Sequence, residues 1–316
     1  MNAASNSVGQ IASLGDWCAE NWRFLSMRVR GMAGKESEID ALAQDLRSLA
    51  VLYESLTGRR FESAKVFEVG HGARPLRLML LISMGIDARG IDLDAVSLAG
   101  SGVELLRVLR RNGVRRFVKT FVRSALFDSH ERRALRRVLA RSGHALRIDP
   151  ERFLVGDVAD YRLPPASLDM IYSEDVFEHI PGLAIDGVCQ GMARALRPGG
   201  VAFISPLVYT SLIGGHLSEW YGVKDTLPEG AHSAPWEHLR QRRLKADCYL
   251  NEWRLADYQR AFGSHFEVLE VINLQPEFGS SFLDENIRRE LAEYAEHELL
   301  GSKWRFVLRK RAEVAE

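Results

Sequence analysis

The chain has 316 residues, 46% of them hydrophobic, and 42 Lys and Arg are balanced by 42 Asp and Glu. This length allows one large domain or two small ones around a sizeable core, and a net charge of zero excludes any case for a nucleic-acid or membrane partner from bulk charge. Cys18, Cys189 and Cys248 are scattered and odd in number, which excludes a disulfide framework and a cysteine metal spacing and points to a reducing, cytoplasmic compartment.

The opening segment, MNAASNSVGQIASLGDW, has no basic region followed by an apolar run. No apolar run of about 18 residues occurs anywhere, so an unexported protein without a membrane span is expected. Residues 1–60 read as a helical N-terminal cap. Ile39, Leu42, Leu46, Leu49 and Leu56 recur at helical spacing, and Trp17, Trp22 and Phe24 mark an earlier helix.

The most informative stretch is Lys65–Asp94, KVFEVGHGARPLRLMLLISMGIDARGIDLD. Val66, Phe67 and Val69 predict a short buried strand. Gly70-His71-Gly72 then permits a tight turn and a close backbone approach to a ligand. Pro75 suits the first turn of the following helix, where its missing N–H costs nothing. Asp92 closes the next strand about 20 residues after the glycines, where a carboxylate holds the hydroxyls of a ribose.

A basic block follows. Between Ser101 and Arg147 there are 13 Lys and Arg against three acids, Glu104, Asp128 and Glu131. Leu105, Leu106 and Leu109, then Phe117, Val118, Phe121 and Val122, then Leu135, Val138 and Leu139 keep helical spacing, so the expectation is a basic helical insert over 96–150. Its apolar stripes dock on the domain, or its charge forms a footprint for a phosphate-bearing or membrane-surface partner. Aromatic residues are not interleaved as in single-strand binders, so nucleic acid is not the expected partner.

Strands are expected at Arg152–Gly156, Leu168–Ser173 and Val201–Ser205, with a helix at Ile185–Leu196 and a turn at Arg197-Pro198-Gly199-Gly200. A second insert spans 206–252. A helix at Trp253–Phe262 and strands at Phe266–Leu274 and Lys303–Arg311 close the pattern. Alternating strands and helices predict an open α/β sheet with ligands at the carboxyl ends of the strands.

FEVGHGARP, GIDLD, VGDVAD with SLDMIYSEDVFEHI, and ALRPGGVAFIS stand in an order that resembles the class I S-adenosylmethionine-dependent methyltransferases, of the type-11-like kind. The resemblance covers roughly residues 60–210. It implies a Rossmann-like, seven-stranded, mostly parallel sheet with an antiparallel final strand, a cap and two insertions, the domain running over 61–316. It implies S-adenosylmethionine as cofactor, with Glu68 near its methionine part, Gly70 and Gly72 along its backbone and Asp92 on its ribose. Asp157 and Val158 would meet the adenine, and Ser173 and Glu174 would lie beside the sulfonium. Ala73-Arg74-Pro75 departs from the usual third glycine, and Arg74 would clash or pair with the cofactor carboxylate.

His179 and His216 are the candidate bases for an oxygen acceptor, because an imidazole titrates near neutrality. The expected reaction is O-methylation of a small-molecule or glycan acceptor, including a phosphate-bearing, lipid-linked saccharide. Tyr209, His216, Trp220, Tyr221, His232, Trp236, His238 and Tyr249 would border its pocket. Small-RNA 3′-end methyltransferases hold a divalent ion with a run similar to Asp175, Glu178 and His179 plus a distant histidine, here His216, His232 or His238. The first residue departs from that pattern, and no metal is expected. A non-catalytic partner protein that binds the cofactor and a metal-assisted nucleic-acid methyltransferase are the rival readings.

Overall fold

The computed structural model of the chain describes residues 29, 31–98, 102–220, 233–244, 246 and 248–311. Trp17, Cys18, Trp22, Phe24, Tyr221 and His232 lie outside the described residues, as does most of the segment before α1.

Helix α1, Lys35–Thr57, buries Ile39, Ala43, Leu46, Leu49 and Tyr53 on one stripe. It stops at Gly58, whose left-handed φ of 66° lets its N–H reach back to the Glu54 carbonyl. Strand β1, Lys65–Val69, leads through the glycine loop into α2, Leu76–Ser83, with Pro75 at the helix cap. Strand β2 is Asp87–Asp92. The basic insert forms α3, Gly102–Arg123, then a short π turn over Ser124–Asp128, then α4, Ser129–Arg141. Strands β3, Phe153–Val155, and β4, Leu168–Glu174, follow. Helix α5 is Gly182–Ala195, strand β5 is Leu196–Ser205, and a short α6, Glu237–Arg240, ends the described part of the second insert's excursion. Helix α7, Leu255–His265, strand β6, Phe266–Asn273, the short helices α8, Glu285–Glu290, and α9, Glu296–Leu299, and strand β7, Trp304–Lys310, complete the chain.

The seven strands form one sheet in the order β3-β2-β1-β4-β5-β7-β6. The first five run parallel, and β7 is antiparallel to both β5 and β6. This is the Rossmann-like, mostly parallel sheet with an antiparallel ending that the motifs imply. Successive strand residues face opposite layers. Val66, Tyr172, Phe203 and Val307 pack beneath α1, α2 and α4, while Phe67, Ile171, Ala202 and Leu308 pack beneath α5 and α7. A smaller core of Leu212, Trp220, Trp236, Leu283, Ile287, Leu291 and Leu299 ties the second insert to the segment before β7.

LRPGG differs from its expected role as a simple turn. Leu196 already pairs with Leu168, Val201 pairs with Met170, and the intervening residues bulge outward with Gly199 at φ 73°. Gly200 makes this possible, since a Cβ there would come within 3.1 Å of the Asp169 carbonyl oxygen.

The two helices of the basic insert are built differently. Helix α4 docks, burying Ala134, Leu135, Val138 and Leu139 in the core shared with α1 and α2. Arg137 and Arg141 reach the Glu36 carboxylate of α1, and Arg141 also holds Asp40 at 2.6 Å. Helix α3 buries Val108, while Val103, Leu106, Val114, Val118, Phe121 and Val122 stay exposed, and it kinks at Gly113. The expected stripe is thus docked only in its second half. Leu135→Ala should cost about 2–5 kcal/mol in urea denaturation, the range for emptying a buried leucine site, whereas Leu106→Ala should stay within about 0.5 kcal/mol of the parent.

Candidate functional site

The strand order reverses between β1 and β4, so the loops after these strands diverge and leave a crevice at their carboxyl ends. Gly70, with φ 79°, turns the chain there; a Cβ on it would fall 2.0 Å from a Val176 methyl of the loop after β4. The Gly72 N–H, at φ 68°, donates to Asp92 Oδ2 at 2.8 Å, and Asp92 Oδ1 accepts the Asp94 N–H at 2.9 Å. Gly70, Gly72 and Asp92 therefore come together as one cradle. Asp157 is exposed in the turn after β3 and its Oδ1 caps the Ala159 N–H at 2.9 Å, while Val158 packs half-buried on the core beneath. A carboxylate in that place can accept from an exocyclic amine.

The acids at the strand ends carry heavy electrostatic duty. Glu68 is buried, and its Oε2 meets no donor. Burial pushes its carboxyl up to about 8, with nearby Arg77 opposing the rise. Glu174 is the hub of a network: Lys303 Nζ reaches its Oε1 at 2.7 Å, while Arg77 and the Tyr172 hydroxyl hold its Oε2. Burial alone would raise Glu174, but Lys303 and Arg77 outweigh it and hold the carboxyl at about 2. Arg77 also lies 5.2 Å over the Tyr172 ring. Ser173 is fully buried and its hydroxyl donates to the Val69 carbonyl at 2.9 Å, bracing β4 against β1. Arg74 is engaged away from the cradle, pairing with Glu131 of α4 at 2.9 Å.

The second cluster lies on the turn after β4. The His179 Nδ1–H donates to the Tyr249 carbonyl at 2.9 Å. The rings of His179 and His216 meet edge-to-face with centroids 4.9 Å apart. His216 Nε2 lies 4.0 Å from Glu178 Oε1. Glu178 is buried, and burial together with neighbouring Asp175 raises its carboxyl well above the usual range. Burial, followed by His179 and His238, lowers the His216 imidazole to about 4. Glu178, His179 and His216 can each offer one ligand atom, all within 4.8 Å of one another. The other ligands considered from sequence are placed elsewhere: Asp175 Oδ2 pairs with Lys303 at 2.8 Å, and His238 Nε2 donates to the Tyr209 carbonyl at 2.8 Å.

Several aromatic residues of the expected acceptor pocket are packing residues. Trp220 and Trp236 fill the small core, and His238 is buried beneath Gly215. Tyr249 is exposed beside the His179 turn and Tyr209 is half-buried. Asn251, absent from the sequence reading, proves to be the clamp of this site. Its Nδ2 donates to the Phe177 and Ile180 carbonyls at 2.8 and 3.2 Å, and its N–H donates to the Glu178 carbonyl at 2.9 Å. A separate cleft of about 670 Å³, lined by Arg240, Phe282, Asp284 and Ile287 among others, shares no residue with either cluster.

Residues 128–204 match a family model described as a methyltransferase domain, a span running from the start of α4 through most of β5. That segment, about a quarter of the chain, and the Rossmann-like strand order agree with the resemblance to class I methyltransferases. A Mesorhizobium loti S-adenosylmethionine-dependent methyltransferase structure is 13% identical, covers 82% of this chain and 95% of its own, and has a TM-score of 0.43. A Streptomyces coelicolor geranyl diphosphate C-methyltransferase, solved with Mg2+, geranyl diphosphate and S-adenosyl-L-homocysteine, is 13% identical, covers 84% of this chain and 77% of its own, and has a TM-score of 0.41. At this distance neither likeness bears on the reaction. No curated protein matches the sequence.

Glu68 gives the cradle a pH signature. A carboxyl held near 8 in the fold and near 4.5 when unfolded keeps the proton on folding. Its contribution is complete below the unfolded value and is lost as pH rises through the folded one. Between about pH 5 and about pH 9, the stability of cofactor-free wild type relative to Glu68→Gln should fall by roughly 2–4 kcal/mol in urea titrations. A pH-independent difference would mean that Glu68 ionises freely.

Proposed function

We propose that this chain methylates an oxygen atom of a small-molecule or glycan acceptor, with S-adenosylmethionine as the methyl donor. The observation that carries the reading is the placement of Glu178, His179 and His216 on and beside the turn after β4, next to the glycine cradle. The cradle residues fit the cofactor on structural grounds. Gly70 has no space for a side chain, Gly72 and Asp92 fix the loop in a left-handed turn, and Glu68 keeps a buried carboxyl oxygen without a donor. Gly70, Gly72 and Asp92 would hold the methionine and ribose parts, with Asp157 and Val158 at the adenine. Ser173 and Glu174 set the end of β4 through their bonds to Val69, Arg77 and Lys303.

The cofactor supplies a methyl group already activated on a sulfonium. What remains for the protein is to orient the acceptor and remove its proton. His179 enters this task with its tautomer fixed by the Tyr249 carbonyl, and His216 faces it from the second insert. Asn251 ties the turn that carries Glu178 and His179 to the end of the second insert.

Asp92→Ala should weaken S-adenosylhomocysteine binding roughly 10–100-fold by calorimetry, the scale of losing charge-assisted hydrogen bonds. His179→Asn and His216→Asn should leave that affinity unchanged and lower kcat on an oxygen acceptor by roughly 10²–10⁴-fold. A folded protein that binds no S-adenosylhomocysteine would favour the non-catalytic partner instead.

Helix α3 supports an acceptor presented at an anionic surface. Its exposed Val103, Leu106, Val114, Val118, Phe121 and Val122 sit among Arg107, Arg110 and Lys119, for which no ion pair occurs among the described residues. Apolar side chains beside basic ones on one helix suit an interfacial helix at a charged lipid surface. Cosedimentation with phosphatidylserine vesicles should exceed that with phosphatidylcholine vesicles, fall with salt, and drop in a Phe121→Ser, Arg110→Ser double variant. Equal partition to both vesicles would remove this part of the reading.

A further inference from the structure

We propose that helix α3 is a strap across the adenosine end of the cofactor crevice, latched to Asp94 by Asn112 and Arg116, and that this latch opens to admit the cofactor. The inference rests on S-adenosylmethionine binding in the cradle of Gly70, Gly72 and Asp92.

The first observation is where α3 lies. Asn112 Oδ1 accepts the Ala95 N–H at 3.1 Å, and Asn112 Nδ2 donates to Asp94 Oδ1 at 2.9 Å. Four residues on, the Arg116 guanidinium pairs with Asp94 Oδ2. Arg111 Nη1 donates at 3.3 Å to the carbonyl of Val155, the last residue of β3. The middle of α3 therefore spans the carboxyl ends of β2 and β3. Asp92 ends the first of these strands and Asp157 follows the second, so the helix crosses the two carboxylates set for ribose and adenine. Asp94 is joined to the cradle itself, since its N–H donates to Asp92 Oδ1 at 2.9 Å. Burial and then Arg123 lower the Arg116 guanidinium, with Asp92 acting the other way, so the ribose carboxylate lies within electrostatic reach of the latch.

The second observation is how little else holds α3 down. Among the described residues, Val108 is its one buried apolar side chain, and α3 adds nothing to the three apolar cores. Its neighbour α4 is the contrast, with four side chains buried against α1 and α2. The contacts that hold the middle of α3 are polar. An element with few buried apolar contacts opens locally at a small part of the free energy of global unfolding.

The third observation is that α3 has places to bend. Gly113, next to Asn112, breaks the helix with φ 77° and ψ 177°. A Cβ there would meet nothing within 4 Å, so no packing clamps the break. At the far end the π turn over Ser124–Asp128 interrupts the run into α4, with Arg123 and Asp128 paired across it at 3.3 Å. Such π turns recur at functional positions in helices. The bend at Gly113 and the π turn flank Arg116, one arm of the latch, while α4 stays docked.

Surface plasmon resonance on the full chain, with S-adenosylhomocysteine as the probe, reads the latch through both rate constants. Asn112→Ala and Arg116→Gln each remove one arm. Each is expected to raise kon and koff together, roughly 5–50-fold, the scale of one or two lost hydrogen bonds on an opening equilibrium. Arg110→Gln, exposed on the same helix, should change neither rate. A purely structural role for the two side chains gives a different pattern: koff rises and kon does not, because only the seating of Asp92 suffers. That pattern, or wild-type rates in both latch variants, overturns the strap and leaves the cradle reading standing. Binding by Asn112→Ala but not by wild type would show the strap held shut. Absence of binding in every form overturns the cradle reading and the strap with it.

Discussion

The junction between β1 and β4 is the constraint on which the site depends. These strands lie side by side where the sheet order reverses, and the Ser173 hydroxyl locks them through the Val69 carbonyl. Gly70, Gly72, Glu178 and His179 sit on the two loops that leave this junction, while Asp92, Asp157 and His216 come from other strand ends. The β1 loop turns at Gly70 so tightly that Val176 of the β4 loop occupies the space a side chain would need. One contact therefore sets two distances: how near a cofactor can come to the β1 backbone, and where the Glu178-His179 turn begins. Any side chain at Gly70 would push the loops apart and disturb both.

Charge around this junction is arranged to keep acids in different states. Glu68 and Glu174 are both largely buried and both interact with Arg77, yet one is raised to about 8 and the other held at about 2. The difference is Lys303, which contacts Glu174 and Asp175 directly and does not contact Glu68. Lys303 stands at the start of β7, so the antiparallel ending of the sheet reaches back to the end of β4. A neutral Glu68 beside an ionised Glu174 avoids two adjacent buried negative charges, the costly arrangement in low dielectric.

Much of this was legible in the sequence. The buried strands, the glycine turn and Asp92 follow from local apolar patterning and from backbone needs that only glycine meets, so Gly70, Gly72 and Asp92 assemble as expected. The roles of Ser173 and Glu174 were not legible, because their partners are remote: Glu174 pairs with a lysine 129 positions later. Arg74 likewise looked like a cofactor neighbour until α4, the second helix of the basic insert, supplied Glu131. Helical spacing alone could not separate α3 from α4, since both repeat apolar residues and only tertiary packing decides which stripe is covered. The aromatic residues of the second insert misled for the same reason: a tryptophan reads alike whether it lines a pocket or, like Trp236, fills a core.

His216 presents the opposite case, a residue whose place follows from strain rather than pattern. It needs a left-handed backbone, a preceding glycine packed on His238, and a loop anchored by the His238 ring on the Tyr209 carbonyl. None of these makes a stronger core, since the small core is filled by Trp220, Trp236 and leucines around it. A sequence under selection for stability alone would relax φ at this position or replace the histidine. Holding it there sets an imidazole 4.0 Å from the buried Glu178 carboxylate at a cost in backbone strain.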